Sequence, residues 1–310
     1  MIERYLEMRD GHRLFLRCWN DVSCESVATL HINHGMAEHS LRYDDFARYL
    51  NARGIVVYAQ DHRGHGLTKE EEEKGWFAPS DGWSVVTGDA IAVDQLVMNE
   101  YENLPHFVMG HSMGSFITRT VLTKVSDYFS AAIIMGTGAG QGIKGSIGKA
   151  IASSHVRKHG SRMPDHMMNR LSFGSYNNHF KPVRTEYDWL TRDENEVQKY
   201  IDDPLCGFVC SSQFYVDLLT GIEIANDRKL ARKVSPVLPM LIVSGSDDPV
   251  GGYGKGIRKV CQLYEDAGLY DVRMKLFEHD RHEILNELDK KEVYAYLADY
   301  LNEMLERIDS

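Results

Sequence analysis

Pro105-His106-Phe107-Val108-Met109-Gly110-His111-Ser112-Met113-Gly114-Ser115-Phe116-Ile117 is the stretch on which the reading of this chain turns. Residues 105–109 are short, largely apolar and bounded by proline, which predicts a buried strand. From Ser115 to Val125 the apolar positions 117, 121, 122 and 125 repeat at helical spacing. Between the two lies a G-x-S-x-G pentapeptide, Gly110 to Gly114. A serine between strand and helix sits on a sharp turn where bulk at the flanking positions would clash, and the two glycines remove that bulk. The pentapeptide alone could be an ordinary glycine-rich turn. With a strand before it and a helix after it, Ser112 is a candidate nucleophile.

A serine hydroxyl attacks only when a base takes its proton, so a histidine and an acid to orient it are needed. On this framework they follow the serine in the order acid, then histidine. Pro239 to Gly245 reads as a further buried strand and runs into Ser246-Asp247-Asp248-Pro249-Val250, a loop with two acids. Val272 to Phe277 alternates like a strand and ends in Glu278-His279-Asp280-Arg281-His282. Each position is ambiguous by a neighbour. Pro249 keeps Asp248 extended, while Asp247 could be solvated or bond the turn. His282 opens the predicted helical run Glu283 to Leu288, which would present it at a loop end; His279 has the same chemistry in a less fixed place. For a developing oxyanion, two backbone N–H groups are expected. One is that of Met113. The other is that of Met36, in the loop His34 to Ser40 that follows the predicted strand Ala28 to Asn33, where Gly35 lets the backbone turn.

The segments His34-Gly35-Met36-Ala37-Glu38-His39-Ser40, Arg42-Tyr43 and Asp61-His62-Arg63-Gly64-His65-Gly66 together resemble the monoacylglycerol lipase and lysophospholipase group of α/β-hydrolases, also described as serine aminopeptidase-like. The resemblance runs from the first hairpin to the last helix. Arg184 to Leu190 and Asp202 to Phe208 are similar to a bacterial lysophospholipase-type subgroup. Carried over position by position, the resemblance implies Ser112 as nucleophile, Asp248 as acid, His282 as base, and Met36 and Met113 as oxyanion donors. Met36 stands where relatives often carry alanine, a change that a backbone donor tolerates. Asp61 to Gly66 is expected to be scaffold beside the oxyanion loop.

Composition sets limits around this reading. At 310 residues with 43% hydrophobic content, the chain is long enough to bury a full core. Its net charge of −10 and pI near 5.8 offer no basic face, so nucleic acid is not an expected partner. The N-terminus is charged and lacks an apolar core, and no stretch approaches ~20 apolar residues, so neither a signal peptide nor a membrane span is expected. Five cysteines, an odd and scattered set, fit a reducing cytoplasm. Cys206 and Cys210 are spaced to share a helix face and are read as small buried residues, with no metal or cofactor expected. The acidic run Glu70 to Glu73 reads as a solvated loop or helix start.

Along the chain, Tyr5 to Leu16 predicts a hairpin turning at Asp10-Gly11. Strands at Ala28–Asn33, Ile55–Ala59 and Ala131–Met135, with helices after Tyr43 and from Trp83 to Glu100, complete an alternation that predicts a mostly parallel sheet with helices on both faces. The alternation breaks between Gly138 and Val234. Expected units are therefore residues 1–137 and 235–310 as the hydrolase core and 138–234 as a helical cap. The cap is rich in large apolar side chains: Met163, Met167, Met168, Leu171, Phe173, Tyr176, Phe180, Trp189, Phe208, Phe214 and Tyr215. Most would pack it onto the sheet, and a minority lining a channel would bind an acyl chain, to which methionines adapt well. The expected activity is hydrolysis of a small carboxylic ester, a monoacylglycerol or lysophospholipid. The alternatives are a general carboxylesterase, a peptidase, or a non-catalytic ligand receptor on the same fold.

Overall fold

The computed structural model describes residues 1–22, 24–68 and 73–310, so the acidic run Glu70 to Glu73 falls mostly outside the described residues. One eight-stranded sheet organises the chain. Its strands are β1 (Ile2–Glu7), β2 (Arg13–Trp19), β3 (Ala28–Asn33), β4 (Ile55–Gln60), β5 (His106–His111), β6 (Ala131–Met135), β7 (Met240–Gly245) and β8 (Val272–Phe277). They lie in the order β1-β2-β4-β3-β5-β6-β7-β8. Only β1–β2 and β2–β4 pair antiparallel; every other pair is parallel. The first hairpin forms as the sequence predicts, though its turn is wider than Asp10-Gly11 alone. Register runs from Ile2↔Cys18 to Glu7↔Arg13, and Gly11 takes the left-handed φ of 80° that closes the turn.

The central strands are buried on both faces, which is why they read as near-continuous apolar runs. Alternate residues serve two cores. Phe107, Met109, Ile133, Leu241 and Val243 face helices α1 (Asp44–Asn51) and α10 (Lys290–Asp309). Val108, Ala132, Ile134, Met240 and Ile242 face α2 (Gly82–Glu100), α3 (Met113–Val125) and α9 (Lys255–Ala267). Each fully buried aliphatic side chain contributes about 1.5–3 kcal/mol.

Strands β6 and β7 are neighbours in the sheet, yet the chain between Met135 and Met240 builds five α-helices and a 3₁₀ turn at Tyr176–His179. The α-helices are α4 (Gly142–His159), α5 (His166–Phe173), α6 (Glu194–Asp202), α7 (Ser212–Ala225) and α8 (Arg228–Ala231). Side chains of Asp165, Asp193, Ser211 and Asp227 accept from first-turn N–H groups and start α5, α6, α7 and α8 in turn. Phe214 and Tyr215 of α7 join the same core as α2 and α3, so this segment is welded to the sheet rather than laid over it.

Two local expectations fail. The run Glu283 to Leu288 forms a single 3₁₀ turn at Ile284–Asn286 instead of a helix. Glu287 is extended there (ψ 166°) and its buried carboxylate accepts from the Arg281 and Arg192 N–H groups. Cys206 and Cys210 do not share a helix face: they lie in the non-helical link between α6 and α7, where Gly207 has φ 66°. Both are nonetheless buried.

Candidate active site

Ser112 joins β5 to α3 with φ 53° and ψ −118°, a backbone state that an L-residue adopts only under constraint, at a cost of about 1–3 kcal/mol. The surroundings enforce it. The Ser112 N–H donates to the Met135 carbonyl of β6 at 3.0 Å, and its carbonyl accepts from the Ser115 N–H at 2.9 Å. A Cβ at Gly110 would collide with the Gly114 carbonyl and the Thr118 hydroxyl; one at Gly114 would collide with the backbone of Asn33 and His34. The flanking glycines therefore let β3, β5 and α3 converge at the serine.

Two further loops at the same sheet end carry the acid and the histidine. Asp248 and His282 are both buried, and His282 Nδ1 lies 3.0 Å from Asp248 Oδ1. The other Asp248 oxygen accepts from the Ser244 hydroxyl at 2.8 Å, and Oδ1 also accepts from the Val250 N–H at 2.8 Å. Burial works against a charge on Asp248, but His282 and these donors outweigh it and hold the carboxyl below its usual range. The neighbours left open by the sequence stand apart. Asp247 and His279 have side chains 45% and 72% exposed and sit 4.0 Å from each other, out at the surface. Among the described residues no hydrogen bond joins the Ser112 hydroxyl to His282; the two meet as walls of one cavity.

Met36 and Met113 line that cavity beside Ser112. The loop bearing Met36 passes close to the serine because Gly35 has no side chain: a Cβ there would stand 3.2 Å from the Ser112 Cβ and 2.6 Å from Glu38 Oε1. Glu38 is the loop's anchor. It accepts from the Gly35 N–H at 2.5 Å, from the Tyr43 hydroxyl at 2.9 Å and from Arg42 at 2.9 Å. Burial alone would raise Glu38; His111 and the Arg42 guanidinium reverse this and hold it well below the carboxylate range. Arg42 also grips Glu283, the residue after His282, through two bonds of 2.6 Å. A buried ionic bridge thus ties the Met36 loop to the histidine loop. Sequence reasoning placed Glu38, Arg42 and Tyr43 in the motif and assigned them no task; charged residues beside a glycine turn were the available signal. Glu283 carried no signal, and Trp189 stood out only as one of the large apolar side chains of the insertion. The Trp189 ring nevertheless lies 5.0 Å from the His282 imidazole.

Asp61 to Gly66 braces the same end of the sheet. Asp61 accepts from the Ser40 N–H at 2.8 Å and from Arg17 at 3.3 Å, as scaffold should.

The cavity measures about 1160 Å³ and is roofed by the segment between β6 and β7. Ile147, Ile151, Met168, Leu171, Phe173, Tyr176, Trp189, Phe208, Tyr215, Leu219 and Ile222 line it. The methionine-rich pocket expected from the sequence is largely an aliphatic and aromatic one. Met163 and Met167 are exposed outside it, Phe214 is fully buried in the core, and Phe180 packs under the Arg281 guanidinium. Among the described residues two sets of side chains have ligand atoms close enough to hold a metal ion, His39–Asp203–Cys206 and Asp280–Glu287–Asp289. Both are already knit into hydrogen bonds with neighbouring side chains.

Named proteins resemble this chain in sequence and, among solved structures, in fold. Mouse monoglyceride lipase is 27% identical over 286 residues, spanning 92% of this chain and 84% of that protein. A monoacylglycerol lipase of Mycolicibacterium smegmatis is 26% identical, over 91% of this chain and 90% of its own length. Among solved structures, a thermostable carboxyl esterase from Bacillus coagulans in complex with glycerol superposes with a TM-score of 0.90 at 25% identity, covering 98% of both chains. A soluble variant of Saccharomyces cerevisiae monoglyceride lipase shares the fold, with a TM-score of 0.76 at 19% identity over 97% of this chain and 94% of that one. The family described as serine aminopeptidase, S33 matches residues 25–289, and the chain belongs to that family of α/β-hydrolases.

Proposed function

We propose that the protein is a serine hydrolase of carboxylic esters, acting on monoacylglycerols or lysophospholipids through an acyl-enzyme on Ser112. The observation that carries this reading is a large apolar cavity that opens onto a strained serine beside a buried Asp248–His282 pair. Relatives named monoglyceride lipase, similar over nine-tenths of the chain, support it.

The proposed chemistry starts from the Asp248–His282 pair. With Nδ1–H donated to Asp248, the His282 tautomer leaves Nε2 free to take the Ser112 proton. Attack on the ester carbonyl produces an oxyanion, which the Met36 and Met113 N–H groups stabilise. His282 then hands its proton to the leaving alcohol, and water repeats the sequence to free the acid. Asp248 stays ionised throughout and stabilises the imidazolium. Residues 1–137 and 235–310 serve as the core in this reading and 138–234 as the cap that selects the acyl chain. No helix among the described residues is long and apolar enough to cross a membrane, and we place the activity in the cytoplasm.

A chain-length series of p-nitrophenyl and glyceryl esters tests the proposal. If the cavity holds an acyl chain, kcat/KM rises with length until it is filled, by up to ~0.8 kcal/mol or roughly fourfold per methylene. A steep fall beyond butyrate, with no turnover of monoacylglycerol or lysophospholipid, would instead support a general carboxylesterase, the activity named for the similar Bacillus coagulans structure. A preference for amino-acid amides would make the protein a peptidase.

A further inference from the structure

Two stretches of the segment between β6 and β7, Arg184 to Arg192 and Asp202 to Phe208, carry polar residues that the proposed reaction leaves unused. Each lies against a different loop of the site. The first runs along the histidine loop as a strap. The Glu283 N–H donates to the Leu190 carbonyl at 2.7 Å, and the Thr191 hydroxyl donates to the Asn286 carbonyl at 2.9 Å. The Arg281 guanidinium reaches back to the Asp188 and Thr191 carbonyls. Arg192 then enters a nest of carboxylates, bonded to Asp280, to Glu287 at 2.9 Å and to Asp289 at 2.9 Å. The Asp280 and Glu287 side chains are fully buried, and burial with its acidic neighbours pushes Asp280 up to about 8. The Asp280 carbonyl in turn accepts from the Asp247 N–H at 2.9 Å, beside Asp248.

The second stretch grips the Met36 loop. Asp203 Oδ2 lies 2.8 Å from His39 Nε2. The Gly207 N–H and the Tyr200 hydroxyl both donate to the Ala37 carbonyl, at 3.0 and 2.9 Å. Ala37 sits at φ 54°, a conformation that persists only where the surroundings fix it. A segment that merely roofed a cavity would satisfy its polar groups within itself. This one spends them on the two loops that flank Ser112.

We propose that Arg192 and Asp203 are positioning residues, Arg192 fixing the loop that carries His282 and Asp203 the loop that presents the Met36 N–H. The inference rests on the serine-hydrolase reading of those loops. Without Arg192 the buried Glu287 carboxylate beside the histidine loop loses its guanidinium partner, and no solvent reaches it to take that place. Without the Asp203 carboxylate, His39 loses its ionic partner, and the loop is left to the two bonds at the Ala37 carbonyl.

The test is the rate of fluorophosphonate labelling of Ser112, with kcat and KM for p-nitrophenyl butyrate, in Arg192→Ala, Arg192→Lys and Asp203→Asn. Labelling needs the nucleophile, base and oxyanion donors whatever the natural substrate. A wild-type protein that does not label would therefore sink the hydrolase reading, whereas an unaffected variant sinks only this one. Arg192→Ala is expected to lower labelling and kcat together roughly ten- to hundredfold, with KM within about twofold of wild type. Added methylguanidinium should restore part of that loss and should do nothing for Asp203→Asn, whose labelling falls about tenfold. Arg192→Lys keeps a charge without the fork and should fall between. A folded Arg192→Ala that labels at the wild-type rate, or a loss confined to KM, would overturn the proposal. Should that variant fail to fold, wild-type labelling in Arg192→Lys and Asp203→Asn would overturn it equally.

Discussion

Asp247 and Asp248 are the same side chain one residue apart, and their surroundings alone separate them. Asp248 is fully buried and bonded to His282, Ser244 and the Val250 N–H, while Asp247 is turned toward His279 at the surface. Asp248→Asn is expected to lower kcat by ~10⁴, because an amide leaves the imidazole in the wrong tautomer. Asp247→Asn should stay within about threefold, since a solvated carboxylate screened by water transmits little. Steady-state kinetics on one soluble ester decides, and equal losses in both variants would contradict the assignment. His279→Ala should behave like Asp247→Asn and His282→Ala like Asp248→Asn. At this scale the sequence was most informative about Ser112, because G-x-S-x-G encodes a local backbone demand. It was least informative about Arg42 and Glu283, which stand 241 residues apart and meet only once the sheet has formed.

At the scale of elements, the loops after β3 and β4 bury three histidines side by side, His34, His62 and His65. Burial disfavours their charged forms, and mutual proximity disfavours them further. His62 is held well below the ordinary histidine range, and His65 is lowered to about 3. A base whose folded pKa is depressed lends its full stability above the unfolded value, about 6.5, and loses it as pH falls toward the folded one. For His65 the loss reaches about 2 kcal/mol by pH 5. The melting temperature should therefore drop between pH 7 and pH 5. His65→Phe, which cannot take up a proton, should flatten that drop while destabilising modestly at pH 7.5 through the lost bond to the Arg63 carbonyl. An unchanged pH slope in that variant would show that the cluster is not the cause. Strands were the most legible elements, since a strand buried on both faces reads as an apolar run whatever its neighbours. The helix expected after His282 was not, because Glu287 satisfies two incoming N–H groups and is drawn out of helical geometry. Apolar content in the insertion signalled burial without distinguishing core from cavity, so Phe214 and Met168 looked alike in the sequence.

For the whole molecule, the sheet order β1-β2-β4-β3-β5-β6-β7-β8 decides when the site can exist as well as where it lies. Ser112 leaves β5, Asp248 follows β7 and His282 follows β8, so the β7–α9–β8 unit and its following loop can bring the last two together but no single βαβ unit contains all three. The β6–β7 pairing cannot close until the long intervening segment has collapsed, and closing a loop of that size precedes any contact that rewards it. On dilution from denaturant, helical circular dichroism and the antiparallel β1–β2–β4 edge should recover early, with esterase activity returning in a later, slower phase. Simultaneous recovery of both signals would argue against this sequence of events. A nascent chain emerging from the ribosome meets the same constraint: the proposed nucleophile Ser112 is made long before Asp248 and His282, and until His282 has followed and β8 has paired it cannot attack the lipids or metabolites around it.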